Sequence, residues 1–240
     1  MVMKQGLFLI ALILVFFSCK KKTVPASEYD VGQDYYPQTI GKYVIYDVDS
    51  TYYQEIPYKK FVLKYRIKEK IEEAYTDPQG KPALRLVRYI KKFDSTKIYD
   101  LIPWAVKDAW QVNVSNSNVE VVEENIRFTK LIFAVKTGVT WDGNLKNTLG
   151  EMLYSYNYMD TKETINSVVL EKVLLVKQKD FRTAISYQYY IEKYARGVGL
   201  VYREYKDLYS GTVVSGVLVE NRTDVTGKIY KLTIVSYGNE

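Results

Sequence analysis

Histidine does not occur anywhere in this 240-residue chain. Its absence excludes Ser-His-Asp and Cys-His nucleophile systems and the zinc sites that need imidazole. Cysteine occurs once, at Cys19, so neither an intrachain disulfide nor a thiolate metal cluster can form. Tryptophan is confined to Trp104, Trp110 and Trp141. No glycine pattern cradles a phosphate: Gly197-Val198-Gly199 stops short of the dinucleotide fingerprint, precedes a strand-like stretch and reads as a turn. No apolar run approaches the roughly 20 residues of a membrane-spanning helix. Carboxylate chemistry survives these exclusions, because a glycosidase needs only two suitably spaced acids. Asp47 with Asp49, and Glu123 with Glu124, are the candidate pairs, and the simplest reading of each is a solvated strand edge or turn. A calcium site at Asp47 and Asp49 lacks a surrounding loop of oxygen ligands. The expectation is therefore no catalytic residue, no metal and no cofactor.

What is present begins with Met1 to Lys22. A basic residue, Lys4, precedes an apolar stretch from Gly6 to Phe17, about a dozen residues, which ends in Ser18-Cys19. This is the layout of an export signal. A buried thiol after a cleavable signal and an uncut N-terminal anchor are the plainer alternatives. A lone thiol in an oxidising compartment has no partner, however, and the apolar stretch is too short to span. Phe16-Phe17-Ser18-Cys19 resembles a bacterial lipobox, which implies cleavage before Cys19 and a lipid on its sulfur and amine. Two or more acyl chains anchor stably where one is marginal. Lys20 to Lys22 would then lie at the headgroups. By resemblance to sorting rules in enteric bacteria, the lack of an aspartate after the cysteine favours the outer membrane. The lack of an acidic cluster favours its periplasmic face over the cell surface.

Removing residues 1–18 removes one charge, Lys4, and lowers the formal balance from +6 to +5. The basic residues are spread along the chain, and nucleic acid is not an expected partner. Tyrosine outnumbers phenylalanine by 24 to 8, a bias that suits half-buried strands and wet binding surfaces.

The dominant period is two. In Lys60 to Ile71, Phe61, Leu63, Tyr65, Ile67 and Ile71 share one face, and Lys60, Lys64, Arg66, Lys68 and Lys70 share the other. Similar alternation recurs around Val44 to Val48 and Val168 to Gln178, and Ala83 to Phe93, Leu200 to Tyr205 and Lys228 to Tyr237 read as further strands from the turns that open them. Ala184 to Ala195 suits either period and is assigned to strand on its β-branched and aromatic content. Leu145 to Met152 reads as a short helix. The expectation is an all-β, mainly antiparallel domain of eight to ten strands: a curved sheet, half-barrel or sandwich with little helix. Residues 1–18 form the signal, 19–34 a lipid-anchored tether and 35–240 one β-rich domain.

Several stretches together, Asp34-Tyr35-Tyr36-Pro37, Gly41 to Ser50, Asn125 to Phe128, Trp141-Asp142-Gly143-Asn144 and Tyr194 to Glu204, resemble a group of Bacteroidetes lipoproteins. That resemblance implies an envelope location and a β-rich architecture, and no activity comes with it. The combination of lipid anchor and long strands is also similar in architecture to half-barrel lipoprotein carriers. Trp104 and Trp110 are candidate ligand-stacking residues, with core packing as the alternative. Trp141 and Gly143, like Gly197 and Gly199, are read as structural turn residues. The function these readings favour is a non-enzymatic binding protein tethered through Cys19, with a lipid, glycan or peptide ligand or an envelope protein as partner. A carboxylate-dependent glycan hydrolase is the alternative.

Overall fold

The computed structural model describes residues 29–55, 57–213 and 215–240. Cys19 and the signal lie outside the described residues. Val31–Glu240 forms one compact unit. Val31 and Asp34 belong to it because their carbonyls accept from Val135 and Gly197, at 3.1 and 2.7 Å.

Alternation builds the strands. In β1 (Lys42–Gln54), Val44, Tyr46, Val48 and Ser50 are buried on one face. β2 (Lys59–Thr76) and β3 (Pro82–Lys92) follow as antiparallel neighbours. A 3-10 turn at Tyr99–Leu101 precedes β4 (Ala105–Val114), β5 (Asn118–Glu123) and β6 (Ile126–Ile132). β7 (Thr140–Asp142) is three residues long. The longer β8 (Leu153–Ile165), β9 (Val168–Arg182), β10 (Ser186–Ala195), β11 (Gly199–Ser210) and β12 (Val225–Asn239) complete the sheet. Ala184 to Ala195 is thus resolved in favour of strand. The count exceeds the expected eight to ten; β7 is the strand that does not show in the sequence, because Trp141 and Asp142 read there as part of a turn.

The expected helix over Leu145 to Met152 is instead a series of turns. Asp142 Oδ1 accepts from the backbone amides of Asn144 and Met152, both at 2.9 Å. Asn144 Nδ2 donates to the Gly150 carbonyl at 2.8 Å. Side chains that satisfy loop backbone in this way compete with a one-turn helix and win.

The sheet order is β6-β5-β4-β3-β2-β1-β12-β11-β10-β9-β8-β7. It is a simple meander, rotated so that the first and last strands, β1 and β12, pair in mid-sheet. The sheet curls until its two edges nearly close into a barrel. At the seam, Thr129 donates its amide to the Gly143 carbonyl at 2.9 Å. Trp141 Nε1 donates to the Thr129 carbonyl at 2.9 Å, and the Tyr156 hydroxyl bonds both the amide and the carbonyl of Ile132. One continuous apolar cluster, drawing on both sides of the seam, fills the lumen.

The two ends differ. The chain enters at Val31 beside the turns at 77–81, 166–167 and 196–198. The opposite end, here the hairpin end, carries the connections 54–59, 93–104, 183–185 and 211–224. There β1, β2 and β9–β12 run past the shorter strands and form a concave overhang.

Candidate functional site

The strand registers lay three cross-strand rows on the inward face at the hairpin end. The deepest row joins Glu192, Arg203, Leu232, Val48 and Tyr65. The next joins Tyr190, Tyr205, Tyr230, Ser50 and Leu63, and the outermost joins Phe181, Gln188, Asp207, Lys228, Tyr52 and Phe61. Exposure rises outward, as expected for a tapering mouth: Glu192 is buried, Tyr205 and Tyr230 are half-buried, and Phe61 and Tyr52 are exposed.

The walls are aromatic and polar together. Tyr190 and Tyr205 stack with centroids 4.2 Å apart and planes 7° from parallel. Lys228 Nζ lies 5.1 Å from the Tyr52 ring and 5.3 Å from the Tyr230 ring. Gln188 Nε2 donates to Asp207 at 3.0 Å and to the Tyr209 hydroxyl at 2.6 Å. Burial, and then the neighbouring Tyr205, push the Tyr190 phenol well above its ordinary pKa.

The floor is ionic. Arg203 Nη2 meets Glu192 Oε1 at 2.7 Å and Glu123 Oε1 at 2.9 Å. Lys130 Nζ meets the same two oxygens, at 2.9 and 2.8 Å. The Tyr194 hydroxyl donates to the second oxygen of Glu192 at 2.7 Å. Two acids and two cations from β5, β6, β10 and β11 thus make a neutral quartet that ties the walls on either side of the seam across the lumen. Burial alone would raise the Glu123 pKa, but Arg203 and Lys130 outweigh it and hold the group down to about 2. Glu192 is lowered by the same cations against the same burial. A second row, Glu69, Arg88 and Asp108, lies across β2–β4, with Arg88 Nε 3.0 Å from Glu69 and Nη1 3.2 Å from Asp108.

Below the floor there is little room. One cavity of about 20 Å³ lies among Tyr36, Trp110, Glu123, Lys130 and Arg203. Another of about 40 Å³ lies between Tyr43, Ile71, Leu86 and Leu200. A single water needs about 10–15 Å³ on this measure, and ligand pockets run to several hundred. Among the described residues the larger spaces are surface grooves, one of about 390 Å³ bounded by Tyr53, Tyr58, Lys60, Glu220 and Arg222.

The sequence-derived residues scatter. Trp110 is buried in the lumen with the Arg88 guanidinium 3.8 Å from its ring. Trp104 lies on the outside, 4.7 Å from Lys91 and 5.7 Å from Lys68, so the two tryptophans do not share a surface. Trp141 packs at the seam, 4.5 Å from the Tyr156 ring. Gly143 lies under Tyr154, and Gly197 and Gly199 have φ of +70° and +102°. Asp47 and Asp49 face outward and pair with Arg66 and Lys64 at 2.7 and 3.5 Å. Glu123 points into the lumen, whereas Glu124 occupies the exposed turn with φ of +48°; Glu123's neighbouring acid is Glu192.

The quartet was missed in the sequence, although it left a signal. Glu192 lies in phase with Tyr190 and Tyr194, Arg203 with Val201 and Tyr205, and Glu69 with Ile67 and Ile71. A charge that keeps step with the apolar face of a strand is a buried ion pair in waiting.

No family model matches the chain, and no curated protein matches it in sequence. Solved structures that match include one from Bacteroides fragilis NCTC 9343, of a protein proposed to be exported and described as having a YmcC-like fold. It superposes with a TM-score of 0.39 at 11% identity, covering 84% of this chain and 98% of that one. A proposed lipoprotein from Parabacteroides distasonis ATCC 8503 gives 0.38 at 11% identity, over 85% and 98%. Likeness at that level assigns no residue and no activity to this chain.

Proposed function

We propose that this is a lipid-anchored envelope protein whose concave hairpin end binds a ligand without chemically changing it. The observation that carries the reading is the pairing of a tyrosine-rich, partly solvated mouth with a lumen that is filled beneath it. Amphipathic rings beside Gln188, Asp207 and Lys228 suit a polar ligand with apolar faces, such as a glycan or a peptide. An acyl chain would need a dry cavity of several hundred Å³. The quartet does not supply the acid of a hydrolase, because a general acid needs a raised carboxyl pKa and Glu123 and Glu192 are both driven the other way.

The test is titration of the chain from residue 20 onward with peptidoglycan fragments and oligosaccharides, followed by NMR. Shifts should concentrate in the two outer rows, and Tyr52→Ala or Tyr205→Ala should weaken binding about tenfold or more. Binding that survives both changes would place the site elsewhere, and the appearance of cleaved product would make the protein an enzyme. Attachment has its own check: full-length Cys19→Ala should leave the domain folded and move it out of the carbonate-washed membrane fraction.

A further inference from the structure

The exposed apolar side chains are not spread evenly over the barrel. Within Val31–Glu240, Ile40, Val169 and Tyr237 are the exceptions; the other exposed large hydrophobics lie at the hairpin end. The β1–β2 hairpin carries the densest group. Its register pairs Tyr52 with Phe61, Thr51 with Val62 and Ser50 with Leu63, and Phe61, Val62 and Leu63 are each about half exposed. Phe61 and Leu63 face the concave side, while Val62 lies on the outer side between Lys60 and Lys64.

Charge bears on what covers this group. Basic residues flank the apolar group as they do in interfacial segments. Lys59 and Lys60 make no ion pair with a described residue, and Lys228 lies over Tyr52. Asp49 is neutralised by Lys64 at 3.5 Å, which leaves Glu55 as the acid of this stretch. Tyr52, Tyr53 and Tyr58 supply rings that prefer the headgroup boundary.

We infer that the β1–β2 hairpin docks into an anionic lipid bilayer, with Phe61, Val62 and Leu63 in the acyl boundary and Lys59 and Lys60 at the headgroups. The contact is separate from the lipid at Cys19. The dozen residues from Cys19 to Val31 extend to about 40 Å, whereas a 13-residue strand such as β1, roughly 43 Å long, rises only about 33 Å along the axis at the usual barrel tilt. A tethered domain therefore has the reach to lay this end on the bilayer that holds its anchor.

The test uses the chain from residue 20, which lacks both lipid and thiol and keeps the whole compact unit. It should sediment with vesicles of phosphatidylcholine mixed with phosphatidylglycerol, less with phosphatidylcholine alone, and less again as salt rises. Phe61→Asp with Leu63→Asp should cut partitioning about tenfold or more, and Lys59→Glu with Lys60→Glu should cut it on the anionic vesicles only. Both pairs are exposed, so melting should not change. Val62→Cys, the sole thiol of that chain, gives a readout that does not depend on disruptive changes: an attached environment-sensitive dye should shift to the blue on vesicle addition. No sedimentation with either vesicle, a dye that does not respond, or self-association of the chain in place of vesicle binding would overturn the inference.

Discussion

At the scale of single residues, Glu192 is the most consequential side chain in the lumen. It is 1% exposed and accepts from Lys130, Arg203 and Tyr194. A buried ion pair adds little net stability over a well-packed apolar pair, but removing one partner strands the other. Glu192→Ala should therefore cost about 3–5 kcal/mol in urea melts. Lys130→Met combined with Glu192→Leu should cost clearly less than that single change. If the double variant is the less stable one, the quartet contributes more than its parts. The same group sets the acid limit. The Glu123 carboxyl has a folded pKa of about 2, and that of Glu192 is also depressed, against about 4.3 for glutamate in an unfolded chain. A depressed folded pKa contributes stability above the unfolded value and loses it as pH falls toward the folded one. Melting temperature should hold steady down to about pH 5 and drop between about pH 4.3 and 2. With Glu123→Gln, the part of that drop due to this group should vanish.

At the scale of elements, the strands were legible wherever one face met solvent and the other the core. β1 shows this most plainly, β3 is buried on both faces, and the ambiguous β10 yields to its β-branched and aromatic content. What failed was local in a different sense. β7 is three residues long and held by its seam contacts, which no periodicity records. The turn after it depends on Asp142 and Asn144 bonding to the backbone, a use of polar side chains that looks the same on paper as a helix start. The candidate site failed for a third reason. Its rows are assembled by register across six strands, and a single sequence does not report register. The turn glycines, by contrast, were legible and make a sharp test. Gly197 and Gly199 have positive φ, so valine at either should cost about 1 kcal/mol or more. A Cβ on Gly143 would lie 2.2 Å from the Tyr154 ring, so Gly143→Ala should cost about 1–3 kcal/mol through displacement of that ring. It should also speed amide exchange along β6 and β7, whereas the valine variants should not.

At the scale of the whole molecule, the sheet order is the chain order cut at one place and rejoined at another. Every neighbouring pair is consecutive in sequence except β1 with β12, which brings Lys42 opposite Asn239. The interruption falls between β6 and β7, where the ladder is replaced by side-chain bonds from Trp141, Asn147 and Tyr156 and, among the described residues, one backbone bond. If the fold is specified by its strand neighbours, the position of the ends is incidental. A permutant that joins Glu240 to Val31 through a Gly/Ser linker long enough to cross the end of the barrel, and opens between Lys136 and Thr137, both exposed, has the order β7 to β12 and then β1 to β6. All of its strand pairings join elements consecutive in the chain, and the closure of β1 onto β12, which spans the whole chain in the natural order, becomes far more local. It should keep the native near-UV spectrum and refold faster than the natural order, with stability set by how well the cut tolerates the loss of continuity beside Val135, which is buried and bonded to Val31. A permutant that folds no faster would mean that β1–β12 pairing is not the limiting step. One that fails to fold would mean that the 133–139 connection, and with it the seam, organises the barrel ahead of the meander.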